Sequence, residues 1–271
     1  MADDWNLPSG ALMAGKRGYV MGVANQQSIA WGIARQLAAQ GAELALGYME
    51  MNEKRVRPLG ESIGASVFAP FDASAEGSIP AAFEAVGKAF GSIDFLVHAI
   101  GFADRSQIAG SFVDNAERGA FLRAIDISVF SFVEAARSAA ALMPDGGAMV
   151  TMTYLGSERA IPNYNTMGVA KAALEAATRY IARDLGPRGI RVNAISAGAM
   201  RTLSLAGIKD GRAMLAHGRT MSALKEDTSM EGVAGCALWL LSDLGRSTTG
   251  EVVHVDAGFH IMGLPSEGEE A

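Results

Sequence analysis

Cysteine is almost absent from this sequence. Cys236 is the one cysteine among 271 residues, which rules out an intramolecular disulfide and fits a reducing compartment. No apolar run approaches the ~18 residues that a membrane-spanning helix needs, and residues 1–10 lack the apolar core of a signal peptide. Basic residues are not in excess either, because the formal net charge is −6, and this argues against a nucleic-acid-binding surface. We therefore expect a soluble cytoplasmic protein that binds neither membranes nor nucleic acids.

Internal repeats and Pro/Gly/Ser-rich linkers are also absent, which predicts a single domain over residues 1–271. Short apolar runs alternate with helical patterns, and the runs predict strands at 18–24, 42–48, 65–71, 94–100, 148–153, 190–195 and 251–255. The alternation predicts a parallel sheet with helices on both faces. Right-handed crossovers then give a doubly wound Rossmann fold of about seven strands. A longer insert, 199–230, breaks the alternation, and residues 265–271 are expected to form a mobile tail.

The turn after the first predicted strand has features of a diphosphate-binding site. Gly22 would let the backbone approach the phosphates, and Ser28 stands at the expected N-cap of a helix that starts at Ile29. The free N–H groups at the start of a helix attract anions. Because the spacing is not G-x-G-x-x-G, an ordinary strand-to-helix turn remains the alternative.

The end of the second predicted strand should meet the ribose of an adenosine. Met49 lies there, and the neighbouring Glu50 favours NAD because an acidic side chain can bind the ribose 2′-hydroxyl. Lys54 and Arg55 leave NADP open, since a basic side chain accommodates a 2′-phosphate.

The third and fourth predicted strands end at further candidate cofactor contacts. Asp72 and Ala73 could hold the edge of the adenine, although Asp72 is an equally good cap for the segment that follows. Ile100 and Gly101 end the fourth strand, and the glycine would let the backbone approach a nicotinamide ribose.

Two tyrosines and a lysine follow the fifth predicted strand. Tyr154, Tyr164 and Lys171 lie where open α/β sheets place their ligands. A lysine ammonium near a nicotinamide ribose can bind the ribose hydroxyls, and its charge favours ionisation of a neighbouring phenol, whose reference pKa is ~10. Burial of the phenol acts in the opposite direction.

Five ordered segments carry a resemblance to a known family. They are GVANQQSIAWGIA (22–34), VHAIGFA (97–103), TYLGSERAIPNYNTMGVAKAALEA (153–176), GPRGIRVNAISAGAMRTL (186–203) and TGEVVHVDAGFHIMG (249–263). With them the chain resembles the divergent short-chain dehydrogenase/reductases, and among those the NADH-dependent enoyl-[acyl-carrier-protein] reductases of bacterial fatty-acid synthesis. The most specific element is Tyr164-x6-Lys171 with Tyr154 ten residues earlier, because ordinary members of the superfamily use Tyr-x3-Lys.

The wider spacing has a physical interpretation. Three additional helical residues separate the tyrosine from the lysine by a further ~4.5 Å along the helix axis. In a carbonyl reductase the carbon that receives hydride bears the oxygen that the tyrosine protonates. In an enoyl thioester the hydride goes to the β-carbon, and charge develops on a thioester oxygen further away. We therefore expect a displaced tyrosine to suit the enoyl substrate.

The resemblance implies a role for each matching residue. Tyr164 would bind the thioester carbonyl and stabilise the enolate, Lys171 would hold the nicotinamide ribose and polarise Tyr164, and Tyr154 would orient the substrate or deliver a proton. Ala103 would touch the acyl substrate. The positions that match cofactor contacts are Gly22, Ser28, Ile29, Asp72, Ala73, Ile100, Met200, Arg201, Thr202, Leu203 and Ser204. Met49 departs from the family, many members of which have a glutamine near the adenine.

The resemblance further implies NADH as cofactor, with NADPH left open, enoyl-acyl-carrier-protein as substrate, and a homotetramer. The insert 199–230 is interpreted as a flap over the acyl chain. Two alternatives stay open: a short-chain reductase of ketones or alcohols, and a dinucleotide-sensing regulatory protein.

Three polar residues are interpreted as structural. A long helix is predicted over 116–143, in which Asp126 and Ser128 are helix-kink or water-binding residues. His98 lies inside the fourth predicted strand between apolar neighbours and is expected to be a satisfied core residue.

Overall fold

The sheet has seven parallel strands in the order β3-β2-β1-β4-β5-β6-β7. The structure is a computed structural model that describes residues 8–202, 205 and 211–263. The strands are β1 Arg17–Met21, β2 Glu43–Tyr48, β3 Val67–Pro70, β4 Phe95–His98, β5 Gly147–Thr153, β6 Ile190–Ala197 and β7 Val252–Val255. Chain order reverses between β1 and β4, so the predicted doubly wound arrangement is confirmed, with the switch point at the place where such sheets bind ligands.

Helices cover both faces of the sheet, as predicted. They are α1 Ile29–Ala39, α2 Glu53–Ser62, α3 Ser78–Phe90, α4 Arg118–Ile125, α5 Ser131–Ala141, α6 Asn165–Leu185, α7 Gly211–Met221 and α8 Met230–Leu241. One hydrophobic core lies between the sheet and α1, α2 and α8, and the other between the sheet and α3, α5 and α6. Val20 of β1 belongs to the first core while its neighbours Tyr19 and Met21 belong to the second. This alternation explains why the strands read as continuous apolar runs.

The predicted helix over 116–143 forms with an interruption. Helices α4 and α5 are joined by a π-helical turn over Asp126–Phe130, which contains both residues interpreted as causing a kink. Ser128 is buried there, and its hydroxyl accepts a hydrogen bond from the Phe102 N–H at 3.0 Å. The turn therefore ties the helix to the loop that follows β4.

Helix α2 is absent from the sequence-based prediction. Its segment EKRVRPLGES contains Pro58 and is strongly charged, and only Val56 and Gly60 are buried. Val56 and Leu59 stand at helical spacing, but Pro58 and five charged residues in ten make the segment resemble a loop. Helix α6 carries Lys171, and its first residue, Asn165, directly follows Tyr164.

No helix in the described part of the chain is long and apolar enough to cross a membrane.

Gly22 connects β1 to the turn before α1 in a conformation that other residues avoid. Its φ is +100°, and a Cβ there would lie 2.3 Å from the Ala99 carbonyl oxygen. The loop after β4 therefore requires a glycine at position 22, whether or not a ligand is bound. This contact brings together the ends of β1 and β4.

We predict that Gly22→Ala destabilises the fold by ~1–3 kcal/mol, because the methyl group meets backbone and the φ is strained. Urea unfolding followed by circular dichroism measures the change. Gly235→Ala is the matched control, since Gly235 lies in α8 with open space around its Cα. It should be neutral or stabilising by up to ~1 kcal/mol. Equal effects of the two substitutions would contradict this account of Gly22.

Candidate active site

A cavity of about 540 Å³ opens at the carboxyl ends of β1, β4, β5 and β6. It lies at the switch point of the sheet, the position expected for a ligand. The predicted site residues that line it are Gly22, Ser28, Ile29, Ile100, Gly101, Ala103, Tyr154, Tyr164, Lys171, Met200 and Thr202. The fold thus brings the predicted diphosphate turn and the predicted catalytic residues into one cavity.

Other predicted contacts lie away from this cavity or outside the described residues. Met49 follows β2 and is 46% exposed. The Asp72 carboxylate accepts hydrogen bonds from the N–H and the hydroxyl of Ser74, both of which lower its pKa. Asp72 therefore caps its own turn, the alternative that the sequence left open. Ala73 and Arg201 do not line the cavity either. Leu203, Ser204 and residues 265–271 lie outside the described part of the chain.

Ser28 occupies the N-cap position of α1, but its side chain does not cap the helix. Its φ and ψ are −71° and 138°, as expected for an N-cap residue. The hydroxyl instead donates to the Asn25 carbonyl at 2.6 Å and accepts from the Ala24 N–H at 3.3 Å. Because the hydroxyl closes the turn and does not cap α1, the N–H groups of Ile29 and Ala30, two residues that line the cavity, remain available for an anion.

Lys171 is the buried cation of the site. It is 7% exposed, and its ammonium donates a hydrogen bond to the Met152 carbonyl at 2.8 Å. Burial lowers the pKa of Lys171 to about 8, against the opposing influence of Glu175. A Cβ on Gly101 would come within 3.4 Å of Nζ, so the glycine leaves room for a ligand to reach the ammonium.

Tyr154 and Tyr164 contact each other edge to face. Their ring centroids are 4.8 Å apart, and the angle between the ring planes is 67°. Burial raises the pKa of Tyr164, and Tyr154 and Glu175 act in the same direction. Burial, helped by Asp256, raises the pKa of Tyr154 to about 12. Burial is thus the dominant influence on Tyr164, the influence that the sequence analysis set against the charge of Lys171. Both phenols are protonated hydrogen-bond donors at neutral pH.

An apolar compartment adjoins the two tyrosines. Ile108, Tyr164 and Met167 form a small buried cluster, and the partly buried residues packed against it are Ala103, Tyr154 and Ile161. Ala103 thus lies beside the phenols, as expected of a substrate contact. The compartment can accommodate an apolar chain next to the tyrosine hydroxyls.

Two asparagines fix the backbone on either side of Tyr164, and the sequence analysis did not identify them. Asn163 and Asn165 have φ values of 61° and 40°. The Asn163 side chain accepts from the Gly110 N–H at 3.0 Å, and that of Asn165 donates to the Gly110 carbonyl at 3.1 Å. Asparagine tolerates positive φ better than other non-glycine residues, so the Asn-Tyr-Asn triplet was the available signal.

His98 is a satisfied core residue, as predicted. Its ring nitrogens lie 2.9 Å from the hydroxyls of Thr151 and Ser131. Burial lowers the pKa of His98 to about 3, and the charge of Lys171 contributes to this effect to a smaller extent. The imidazole is therefore neutral at physiological pH and forms part of the wall behind the site.

Comparisons with known proteins agree with this geometry. The model of the family described as Enoyl-(Acyl carrier protein) reductase matches residues 22–260. The chain is 53% identical over 256 residues to enoyl-[acyl-carrier-protein] reductase [NADH] 2 of Rhizobium meliloti, covering 94% of this chain and 95% of the relative. It is 47% identical over 255 residues to the corresponding NADH enzyme of Bacillus cereus, covering 93% and 99%.

Two solved structures are also similar. The enoyl-(acyl-carrier-protein) reductase of Anaplasma phagocytophilum in complex with NAD has a TM-score of 0.92 and 48% identity, covering 96% of this chain and 99% of that one. The Bacillus cereus reductase with NADP⁺ and indole naphthyridinone has a TM-score of 0.91 and 47% identity, covering 94% and 100%.

The buried His98 predicts a loss of stability in mild acid. Its pKa falls from 6.5 in the unfolded chain to about 3 in the folded protein. As the pH falls below 6.5, the unfolded state binds a proton that the folded state does not, which costs up to ~1.4 kcal/mol per pH unit until about pH 3. Urea unfolding at about pH 7 and pH 5 measures the free energy of unfolding at each pH. Between the two, this free energy should decrease less for His98→Gln than for the wild type.

His217→Gln is the control for this comparison, because His217 is exposed on α7. It should keep the pH dependence of the wild type. A His98→Gln variant with that same dependence would contradict the assignment of a neutral buried imidazole.

Proposed function

This chain belongs to the enoyl-(acyl carrier protein) reductase family, and we propose that it reduces trans-2-enoyl thioesters on acyl carrier protein to saturated acyl thioesters with NADH. This is the last reductive step of bacterial type II fatty-acid elongation. The observation that carries the proposal is the contact between the buried Tyr164 and the partly buried Tyr154 beside an apolar compartment, with the Lys171 ammonium in the same cavity.

The residues of the cavity fit a nicotinamide dinucleotide. Gly22, the turn closed by Ser28 and the N-terminus of α1 form a cradle for a diphosphate. Gly101 leaves open the space in front of the Lys171 ammonium, where the ribose hydroxyls would bind. When bound there, NADH supplies the hydride that the β-carbon of the substrate accepts.

Tyr164 would act on the thioester oxygen of the substrate, at the opposite end of the conjugated system from the β-carbon. Reduction at the β-carbon moves negative charge onto the thioester oxygen, and a neutral phenol can donate a hydrogen bond to it. Burial keeps Tyr164 in the protonated state that this role requires. In a site from which water is excluded, such a donor stabilises the developing charge more strongly than it would in water.

Tyr154 and Ala103 complete the substrate side. Tyr154 contacts Tyr164 through its ring and remains protonated, so it can orient the thioester or supply the proton at the α-carbon. The apolar compartment beside Ala103 would take the acyl chain.

The insert 199–230 is proposed to cover the acyl chain and to complete the cofactor site. Met200, Thr202, Leu205 and Met214 line the cavity from this side. The Leu205 N–H donates to the Thr202 hydroxyl at 3.2 Å. Arg201, Leu203 and Ser204 are proposed cofactor contacts by resemblance alone. Met49, Asp72 and Ala73 are proposed contacts because they follow β2 and β3, at the edge of the sheet where an adenosine would bind.

We further propose a homotetramer in the cytoplasm, formed by a chain that is a single domain. Apolar side chains remain exposed along α4, α5 and α6 and on the turn between α4 and α5: Leu122, Phe130, Val133, Val169 and Tyr180. Exposed apolar surface of this extent is typical of subunit interfaces.

A substrate comparison tests the proposed reaction. The purified chain should oxidise NADH in the presence of crotonyl or longer enoyl thioesters and leave ketones unreduced, because three more residues separate Tyr164 from Lys171 than separate the tyrosine and lysine of carbonyl reductases. Nicotinamide absorbance measures both reactions. Reduction of ketones alone would support a short-chain carbonyl reductase, and NADH binding without turnover would support a sensor.

We predict that Tyr164→Phe lowers kcat by ~10²–10³-fold while the Kd for NADH stays unchanged, because the phenol stabilises the enolate and does not hold the cofactor. Steady-state kinetics and NADH titration measure the two constants. The matched control is Tyr180→Phe, which removes a tyrosine hydroxyl from α6 outside the cavity, keeps the apolar ring and should keep full activity. A Tyr164→Phe enzyme with normal kcat would contradict the assigned role.

A further inference from the structure

Glu175 is a buried carboxylate that the mechanism above does not use. It lies on α6 one helical turn after Lys171, and each of the two side chains belongs to a residue that is only 7% exposed. Acidic residues are almost never buried unless something pairs with them. The partners of Glu175 therefore indicate what it does.

Thr153 is the hydrogen-bonding partner of Glu175. The Thr153 hydroxyl donates to the carboxylate at 2.6 Å. Thr153 ends β5, directly after Met152, whose carbonyl accepts the bond from Lys171, and directly before Tyr154. Glu175 and Lys171 thus hold adjacent residues of one strand end.

The carboxylate influences the ammonium without forming an ion pair with it. Burial lowers the pKa of Lys171, and the charge of Glu175 acts against this effect. The bond to Thr153 directs the carboxylate to the strand. Of the three donors of the ammonium, one binds the Met152 carbonyl, so the other two can serve a ligand.

Other titratable groups around the ammonium do not replace Glu175. His98 faces it from β4 as a neutral imidazole, and Tyr164 is a neutral phenol. On α5, Glu134 is paired with Arg137 at 3.6 Å. Among the described residues, Glu175 is the anion that acts on Lys171.

We propose that Glu175 is a positioning residue, held by Thr153, that keeps Lys171 charged and its remaining donors directed at the nicotinamide ribose. The inference rests on the proposed function, because it requires Lys171 to bind NADH. Glu175 itself touches neither substrate nor cofactor in this account. Its effect therefore belongs to NADH binding and its pH dependence.

The test is an NADH titration of the full chain between about pH 6 and pH 10, followed by nicotinamide fluorescence. The affinity of the wild type for NADH should fall at alkaline pH as Lys171 loses its proton. We call this part of the pH profile the alkaline limb. In Glu175→Gln this alkaline limb should move down by about one pH unit, which weakens NADH binding ~5-fold near pH 8 and by up to ~10-fold at higher pH. The amide can still accept from Thr153, so the change removes the charge and keeps the contact.

Two further variants separate charge from structure. Glu175→Asp keeps the charge and should leave the alkaline limb close to that of the wild type. Thr153→Val frees the carboxylate to turn toward the ammonium, which should weaken NADH binding at every pH without lowering the limb. Glu134→Gln removes a carboxylate from α5 and should change neither affinity nor limb.

The outcomes distinguish this inference from the proposed function. An unchanged alkaline limb in Glu175→Gln, with the fold intact by circular dichroism, would overturn the role of Glu175. If Glu175→Gln does not fold, a lowered limb in Thr153→Val would overturn it. A wild-type chain that binds no NADH at any pH would overturn the proposed function itself.

Discussion

The hydrogen bond from the buried Lys171 ammonium to the Met152 carbonyl is the contact on which the site depends. It fixes α6 against the end of β5, the strand end that also carries Tyr154. The loop after β4 must pass close to the ammonium, and Gly101 is the residue that permits this. Ser128 on the π-helical turn then holds that loop through Phe102. Elements far apart in the sequence are thereby assembled around one cation.

Burial has opposite effects on the two kinds of titratable group in this site. It disfavours the charged form of each, so it lowers the pKa of Lys171 and raises those of Tyr154 and Tyr164. The lysine stays charged with help from a nearby carboxylate, whereas the phenols need no help to stay neutral. A cation for a ribose and a neutral donor for an enolate are the two states that reduction of an enoyl thioester requires. One apolar environment supplies both.

Most of the fold was predictable because its strands are buried on both faces, and α2 was missed because Pro58 and five charged residues make its segment resemble a loop. The sequence placed Tyr154, Tyr164 and Lys171 together correctly, since the end of a strand and the following helix fix their positions. It could not reveal that Glu175 bonds Thr153 or that Asn163 and Asn165 bond Gly110, because those partners are distant in the chain. The balance between burial and the Lys171 charge at Tyr164 could not be predicted, since burial depends on the complete fold.

The central claim is that the tyrosine seven residues before Lys171 binds the oxygen of a thioester, and not the oxygen of a carbonyl that receives hydride. A crystal structure of the chain with NAD⁺ and an unreactive enoyl-thioester analogue tests it most directly. The account predicts the Tyr164 hydroxyl within ~3 Å of the thioester oxygen, with Lys171 on the ribose hydroxyls. A complex in which the thioester oxygen lies away from Tyr164, or Lys171 binds the substrate, would contradict it.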